Sequence, residues 1–321
     1  MQSKSVDSRF AFASTQPERE ASGRVRPAFG YYGAKQRLAN RIIASLPPHN
    51  AWVEAFCGSA AITLAKPPAP IEIINDKNNE IVNLFAQLRN NHSRLCRAVT
   101  LTPYARQEFH NARLPSKGLS PLERARRFLI GTMMTVNATI GNPTGFSFSS
   151  SYTRQGKEAR VSRWNNLPER LAAVAERLRN IRVENRDARE LLAMFMNRPA
   201  TLVYLDPPYF VKRELEYVID ANDKPFHTEL LQLCCESKCM ILLSGYDTPL
   251  YRKMLLAKNG WRRKVIETHT RDTTGKDYAR TEVLWMNRQF VDAAKSGKVP
   301  IRLSKVELSD NKLNPIRGVR S

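Results

Sequence analysis

A chain of 321 residues has room for one large domain or two modest ones, and with 42% hydrophobic and 25% charged residues its composition is globular. Its 51 Lys and Arg against 30 Asp and Glu leave a formal charge of +21, which favours a polyanionic partner, nucleic acid ahead of an anionic membrane surface. No apolar run is long enough to span a bilayer, the first residues lack the apolar core of a secretory signal, and the five cysteines show no zinc-type spacing.

Taken in chain order, residues 1–28 read as a polar, aperiodic tail. "YYGAKQRLANRI" then leads into "AWVEAF" (Ala51–Phe56), a buried strand, and into the small-residue turn "CGSAA". In such a strand–turn–helix, Gly58 and its small neighbours let a ligand approach the backbone and let the helix pack on the strand. No Gly-Lys-Ser/Thr follows, so the turn is not a phosphate loop. "IEIIND" (Ile71–Asp76) is a second strand, ending about twenty residues on in Asp76, where a carboxylate reaches ribose hydroxyls. The amphipathic "NEIVNLFAQL" follows.

Residues 91–180 break the rhythm with helices and a long polar loop, "NATIGNPTGFSFSSSYTRQGKEARVSRWNN". Arg124, Arg126, Arg127, Arg154, Lys157, Arg160 and Arg163 punctuate this segment, with Phe146, Phe148, Tyr152 and Trp164 interleaved. Arginine among aromatics suits contact with phosphates and bases, and "ERARRFLIGTMM" also reads as an amphipathic helix with a basic face. The strands resume with "IRVENRD" (Ile181–Asp187), where Asp187 either meets the base of a nucleotide ligand or caps the helix "ARELLAMF". "TLVYLDPPYF", "MILLSGYD", a helix over "TPLYRKMLLAKNG" stopped at Gly260, and a closing antiparallel pair, "RRKVIETHT" with "TEVLWMN", complete an α/β pattern. Residues 293–321 read as a basic tail.

"AFCGSA", with "YYGAK" before it and "LDPPYF" far downstream, resembles the Dam-type, D12 class DNA adenine-N6 methyltransferases; "IINDKNNEIVNLF" and "TEVLWMN" extend the likeness over most of residues 29 to 288. The resemblance implies a Rossmann-like methyltransferase sheet, mostly parallel with a closing antiparallel hairpin, built from residues 29–90 and 181–292. It further implies an inserted, mainly helical DNA-recognition domain at 91–180. The implied cofactor is S-adenosylmethionine, with no metal, and the implied partner is double-stranded DNA met by a cytoplasmic monomer. Tyr31, Gly33, Lys35, Phe56, Gly58, Asp76 and Asp206 fall at the family's cofactor positions, and Asp206, Pro207, Pro208 and Tyr209 on its catalytic tetrapeptide. Glu54 is placed to face the cofactor's amino group or to pair with an arginine, and Arg124, Arg127, Arg154, Lys157 and Arg163 are the candidate DNA contacts. One departure stands in the turn: the family has a further glycine where this chain has Ala60, a residue suited to negative φ.

The tetrapeptide suits methylation of an exocyclic amine. That nitrogen's lone pair is delocalised into the ring, so two acceptors, the Asp206 carboxylate and the Pro207 carbonyl, would hold it pyramidal, with the prolines fixing their geometry. Tyr209 would stack on a base taken out of the duplex. An rRNA guanine-N2 methyltransferase and a catalytically silent DNA-binding scaffold are the rival readings; a protein-glutamine methyltransferase would carry Asn in place of Asp206.

Overall fold

The computed structural model describes residues 24–31, 35–136, 145–150, 153–154, 156–208, 223–271 and 277–300, with side chains omitted at 268–271 and 277–280. Gly33, Tyr152, Tyr209 and Phe210 lie outside the described residues, as does most of both expected tails.

Seven strands form the central sheet: β1 (Ala51–Glu54), β2 (Ile71–Asn75), β5 (Arg182–Glu184), β6 (Thr201–Leu205), β7 (Met240–Gly245), β8 (Arg262–Arg271) and β9 (Asp277–Met286). Their order is β5-β2-β1-β6-β7-β9-β8; the first five run parallel, and β9 and β8 close the sheet antiparallel. The architecture is the expected α/β, Rossmann-like sheet. Its reversal of winding direction falls beside β1, which brings the ends of β1, β2 and β6 to one crevice.

Alternation along the strands builds a core on each face. Val53, Val203, Leu205, Ile241 and Leu243 pack against α9 (Ala188–Phe195), α10 (Lys224–Glu236) and α11 (Pro249–Met254). Trp52, Leu202, Tyr204, Met240 and Leu242 pack against α1 (Ala39–Ile43), α2 (Ala61–Ala65) and α12 (Arg288–Ser296). The sequence pattern extends the α11 helix too far. It ends at Met254, and Gly260, with φ of 89°, stops a separate single turn over Ala257–Asn259.

Between Asn91 and Asn180 the described residues form α4 (His92–Thr100), α5 (Arg106–Ala112), α6 (Pro121–Met133), a short hairpin of β3 (Thr153–Arg154) and β4 (Lys157–Glu158), α7 (Ala159–Asn165) and α8 (Leu167–Leu178). Part of the expected polar loop is therefore helix. Trp164 is the reason: its ring is buried and its Nε1 donates to the Thr102 carbonyl at 2.7 Å. These helices share one core with α3 (Asn79–Asn90), and Arg177 of α8 pairs with Glu72 of β2 at 2.5 Å. Ala28 is buried in that same core, and Ala293 of α12 is buried against the sheet.

Candidate active site

A cleft opens at the carboxyl ends of β1, β2 and β6. Tyr31, Lys35, Glu54, Phe56, Gly58, Asp76, Asp187, Asp206 and Pro208 line it, so residues up to 177 positions apart in the chain meet in one place. Arg186 and Phe226, which sequence reasoning did not single out, also line it. Phe226 stands at the start of α10 and packs edge-on to Phe56, with ring centroids 6.3 Å apart. Its only sequence signal was an aromatic inside an amphipathic helix, which ordinary packing explains equally well.

The turn after β1 is shaped by backbone bonds that cross to its neighbours. Cys57 N–H donates to the Asn75 carbonyl at 2.8 Å, and Gly58 N–H to Asp76 Oδ2 at 2.8 Å. Gly58 has φ of 48°, and a Cβ placed there would lie 2.9 Å from Cδ1 of the Tyr31 ring. Ala60 also adopts the left-handed region, φ 54° and ψ 36°. The negative φ that would suit an alanine is thus not what the turn has: it keeps the backbone shape of a glycine there, and a buried alanine occupies it.

Asp76 accepts from Gly58 on one oxygen and from Asn78 N–H on the other at 2.8 Å. Burial raises its carboxyl above the ordinary value, while the two backbone donors oppose the rise. A carboxylate offers about four lone-pair sites, so two remain for a ligand. Asp187 caps α9 through Arg189 N–H at 2.9 Å and pairs with the Arg189 guanidinium and with Lys77. Hydrogen bonds from Arg189 hold its carboxyl well below the usual range. The capping alternative is thus realised, with the same residue still on the cleft wall.

Glu54 is buried and, among the described residues, pairs with no arginine. It accepts from Thr63 N–H at 3.0 Å and from the Thr63 hydroxyl. Burial pushes its carboxyl up to about 8, with the Thr63 donors pulling the other way. The folded state therefore holds the Glu54 proton more tightly than the unfolded chain, whose value lies near 4.5. That contribution is complete below 4.5 and is lost as pH rises through about 8, so stability falls across this window. Glu54→Gln keeps an acceptor for Thr63 and is expected to flatten the decline; thermal melts of both proteins between about pH 5 and about pH 9 measure it.

Asp206 directly follows β6, and Pro207 and Pro208 follow it at the mouth of the cleft. Lys35 reaches Asp206 from the single turn Lys35–Arg37, with Nζ 2.8 Å from Oδ1 and 2.9 Å from Oδ2. Glu282 of β9 lies 3.8 Å from the same Nζ. Burial opposes the Lys35 charge, but Asp206 and Glu282 outweigh it and raise the ammonium above its ordinary value. Sequence reasoning does not single out Glu282, because at the head of the apolar run "VLWM" it reads as an ordinary strand glutamate.

The candidate DNA contacts fall into two groups. Arg124 and Arg127 of α6 line a second groove together with Arg113, yet Arg124 is paired with Glu80 at 2.5 Å and Arg127 with Glu123 at 3.0 Å. Arg126 is engaged by Glu123 and Glu108. Arg154 and Lys157 are exposed on the hairpin, against which α7 packs. Arg163 of α7 is half-buried, and burial lowers its guanidinium from the usual value. Of the interleaved aromatics, Phe148 is exposed, Phe146 is half-buried beneath Arg106, and Trp164 belongs to the core rather than to a binding surface. Among the described residues no cluster of His, Cys, Asp and Glu could hold a metal ion, and no helix is long and apolar enough to cross a membrane.

The chain is 24% identical over 245 residues to the Type II methyltransferase M1.LlaDCHI of Lactococcus lactis subsp. cremoris, covering 72% of this chain and 84% of that one. Among solved structures it is similar to the precorrin-6y C5,15-methyltransferase of Geobacter metallireducens GS-15, with a TM-score of 0.35, 10% identity and coverage of 81% and 97%. It is also similar to the rRNA methyltransferase aviRa of Streptomyces viridochromogenes, with a TM-score of 0.32, 16% identity and coverage of 82% and 89%. Both overlaps are too loose to add to the topology described above. The family model for D12 class N6 adenine-specific DNA methyltransferases matches residues 31–268, from the tyrosine on the cleft wall to the closing hairpin. On that match, the chain belongs to the D12 class of N6 adenine-specific DNA methyltransferases.

Proposed function

We propose that the protein transfers a methyl group from S-adenosylmethionine to N6 of adenine in double-stranded DNA, acting on a base turned out of the duplex into the cleft. The observation that carries this reading is the Asp206 carboxylate, held at the end of β6 by Lys35, followed by two prolines, at one end of a carboxylate-rich cleft. The cleft's donor set suits this cofactor. Asp76 retains acceptor capacity for ribose hydroxyls, Glu54 lies on the wall where an amino group would be met, and Phe56 and Phe226 give apolar flanks to a flat base. When bound, the cofactor supplies an electrophilic methyl on sulfur, with a neutral thioether as the leaving group.

The chain's own contribution is then positioning and electrostatics. The Asp206 carboxylate and the Pro207 carbonyl accept the two N6 hydrogens and aim the nitrogen lone pair. Methylation of the amine would place a positive charge on N6. It leaves as a proton along the hydrogen bond to Asp206 and on to water. Tyr209 supplies the stacking face for the extruded base. The exposed hairpin with Arg154 and Lys157, the half-buried Arg163, and Arg124 and Arg127 on their groove supply phosphate and base contacts from the 91–180 segment. In this reading the protein works as a cytoplasmic monomer.

Nucleoside mass spectrometry tests the reaction. Unmethylated DNA and ribosomal RNA are incubated in parallel with purified protein and S-adenosylmethionine. N6-methyladenine in the DNA alone is the expected product. Methylguanine in the RNA moves the assignment to the rRNA reading, and cofactor and DNA binding without any product moves it to a silent scaffold.

A further inference from the structure

One ammonium serves two carboxylates beside the reacting position. Lys35 Nζ is within hydrogen-bond distance of both oxygens of Asp206, and Glu282 Oε1 stands 3.8 Å from the same nitrogen. The three groups come from separate elements: the turn before α1, the end of β6 and strand β9. Lys35 is 8% exposed and the Glu282 side chain 10%, so water screens this triad little. Glu282 pairs in register with Ile266, one step past Val283, whose partner on β7 is Gly245, the last residue of that strand. The closing hairpin thus carries Glu282 to the catalytic edge of the sheet.

This arrangement bears on how Asp206 works. A lysine bound to both of its oxygens competes with an incoming N6 amine for the same acceptors. The competition worsens as the reaction proceeds, because positive charge develops on N6 within a few ångströms of the ammonium. A second carboxylate beside Lys35 relieves both problems. It draws the ammonium off Asp206 and leaves the triad, two carboxylates and one ammonium, with one net negative charge toward the developing cation. Movement of about 1 Å would bring Nζ from its present 3.8 Å to hydrogen-bond distance of Glu282.

We infer that Glu282 is a positioning residue of the methyl-transfer site: it gives Lys35 a second seat, so that the lysine yields the Asp206 oxygens to the N6 amine of the target base. Glu282 touches no substrate and acts through Lys35. The inference rests on the reading of Asp206 as the N6 acceptor.

A double-mutant cycle with Lys35 tests it. Glu282→Gln, close to isosteric, is expected to lower kcat about tenfold with cofactor affinity unchanged, and Glu282→Asp to fall between the two. In a Lys35→Met background, Glu282→Gln is expected to produce no further loss. Equal losses in both backgrounds would overturn the inference, as would wild-type kcat in Glu282→Gln. A second readout needs no turnover: pH titration of the Lys35 ammonium by NMR on protein carrying ¹³C-labelled lysine, the resonance being identified by its absence in Lys35→Met. Among the described residues, charged and titratable groups facing this ammonium include Asp206, Glu282 and Tyr246, with Glu54 across the cleft. Loss of the Glu282 charge is expected to move the titration to lower pH, and an unmoved titration would exclude the coupling even in a protein without activity. If the wild type methylates something other than adenine N6, the proposed function fails while the cycle is run on the product found. If it makes N6-methyladenine and Glu282→Gln matches it, only the present inference fails.

Discussion

Asp206→Asn is expected to lower the single-turnover rate on the order of 10³-fold while leaving cofactor affinity within a few-fold of wild type. Asparagine keeps the shape of the side chain and one acceptor oxygen, but it puts an N–H₂ donor where the second carboxylate oxygen stood. The N6 amine of the target is itself a donor, so one of its hydrogens loses a partner, and the charge that offsets the developing cation disappears with it. Lys35 loses the carboxylate that binds it at 2.8 and 2.9 Å and retains Glu282 at 3.8 Å. Breaking a buried pair from one side costs about 3–5 kcal/mol, so a lowered melting temperature is expected too, and rates belong at a temperature where both proteins are folded. Mass spectrometry of the product and calorimetric titration with S-adenosylmethionine separate the two effects. A variant retaining a tenth of the wild-type rate would show that Asp206 is structural.

Much of this site was legible before any coordinates. β6 announces itself as five apolar or β-branched residues closed by an aspartate and two prolines, because a buried parallel strand must be apolar throughout and prolines end its ladder. Asp76 is placed by the same logic two strands over, and Gly58 by the need for a turn between strand and helix. What stayed hidden depends on contacts between distant residues. Nothing local distinguishes Glu282 from a surface glutamate at a strand's start; only the antiparallel register of β9 against β7 sets it beside Lys35, 247 positions earlier in the chain. Trp164 misled for a related reason. Aromatics among arginines suit a nucleic-acid surface, yet this ring found the Thr102 carbonyl and the core beneath α8. Arg124 reads as a free cation until its partner Glu80, on a helix 44 residues away, is known.

The turn after β1 contains two left-handed residues, Gly58 and Ala60, and they are expected to respond to substitution unequally. Gly58→Ala places a methyl group at 2.9 Å from a ring carbon of Tyr31, itself a wall of the cleft, and adds about 1–2 kcal/mol of left-handed strain. The ring or the turn must shift, and the turn cannot do so without straining the Gly58 N–H bond to Asp76. Cofactor affinity is therefore expected to fall about 10- to 100-fold, the size of that strain plus a weakened hydrogen bond. Ala60→Gly removes a comparable strain, but it also removes a methyl group that is 0% exposed within the core shared by α2, α3 and α6, worth about 0.8 kcal/mol. Glycine adds conformational freedom to the unfolded chain, about 0.4–1 kcal/mol in the same direction. These terms nearly cancel, so Ala60→Gly is expected to change stability by less than about 1 kcal/mol and cofactor affinity by no more than a few-fold. Thermal melts and titration with S-adenosylmethionine on both variants check the pair. A large gain in affinity for Ala60→Gly would mean that the alanine holds the turn away from its best shape, whereas a neutral result beside a damaged Gly58→Ala shows that core burial stabilises a non-glycine residue where the backbone alone would favour glycine.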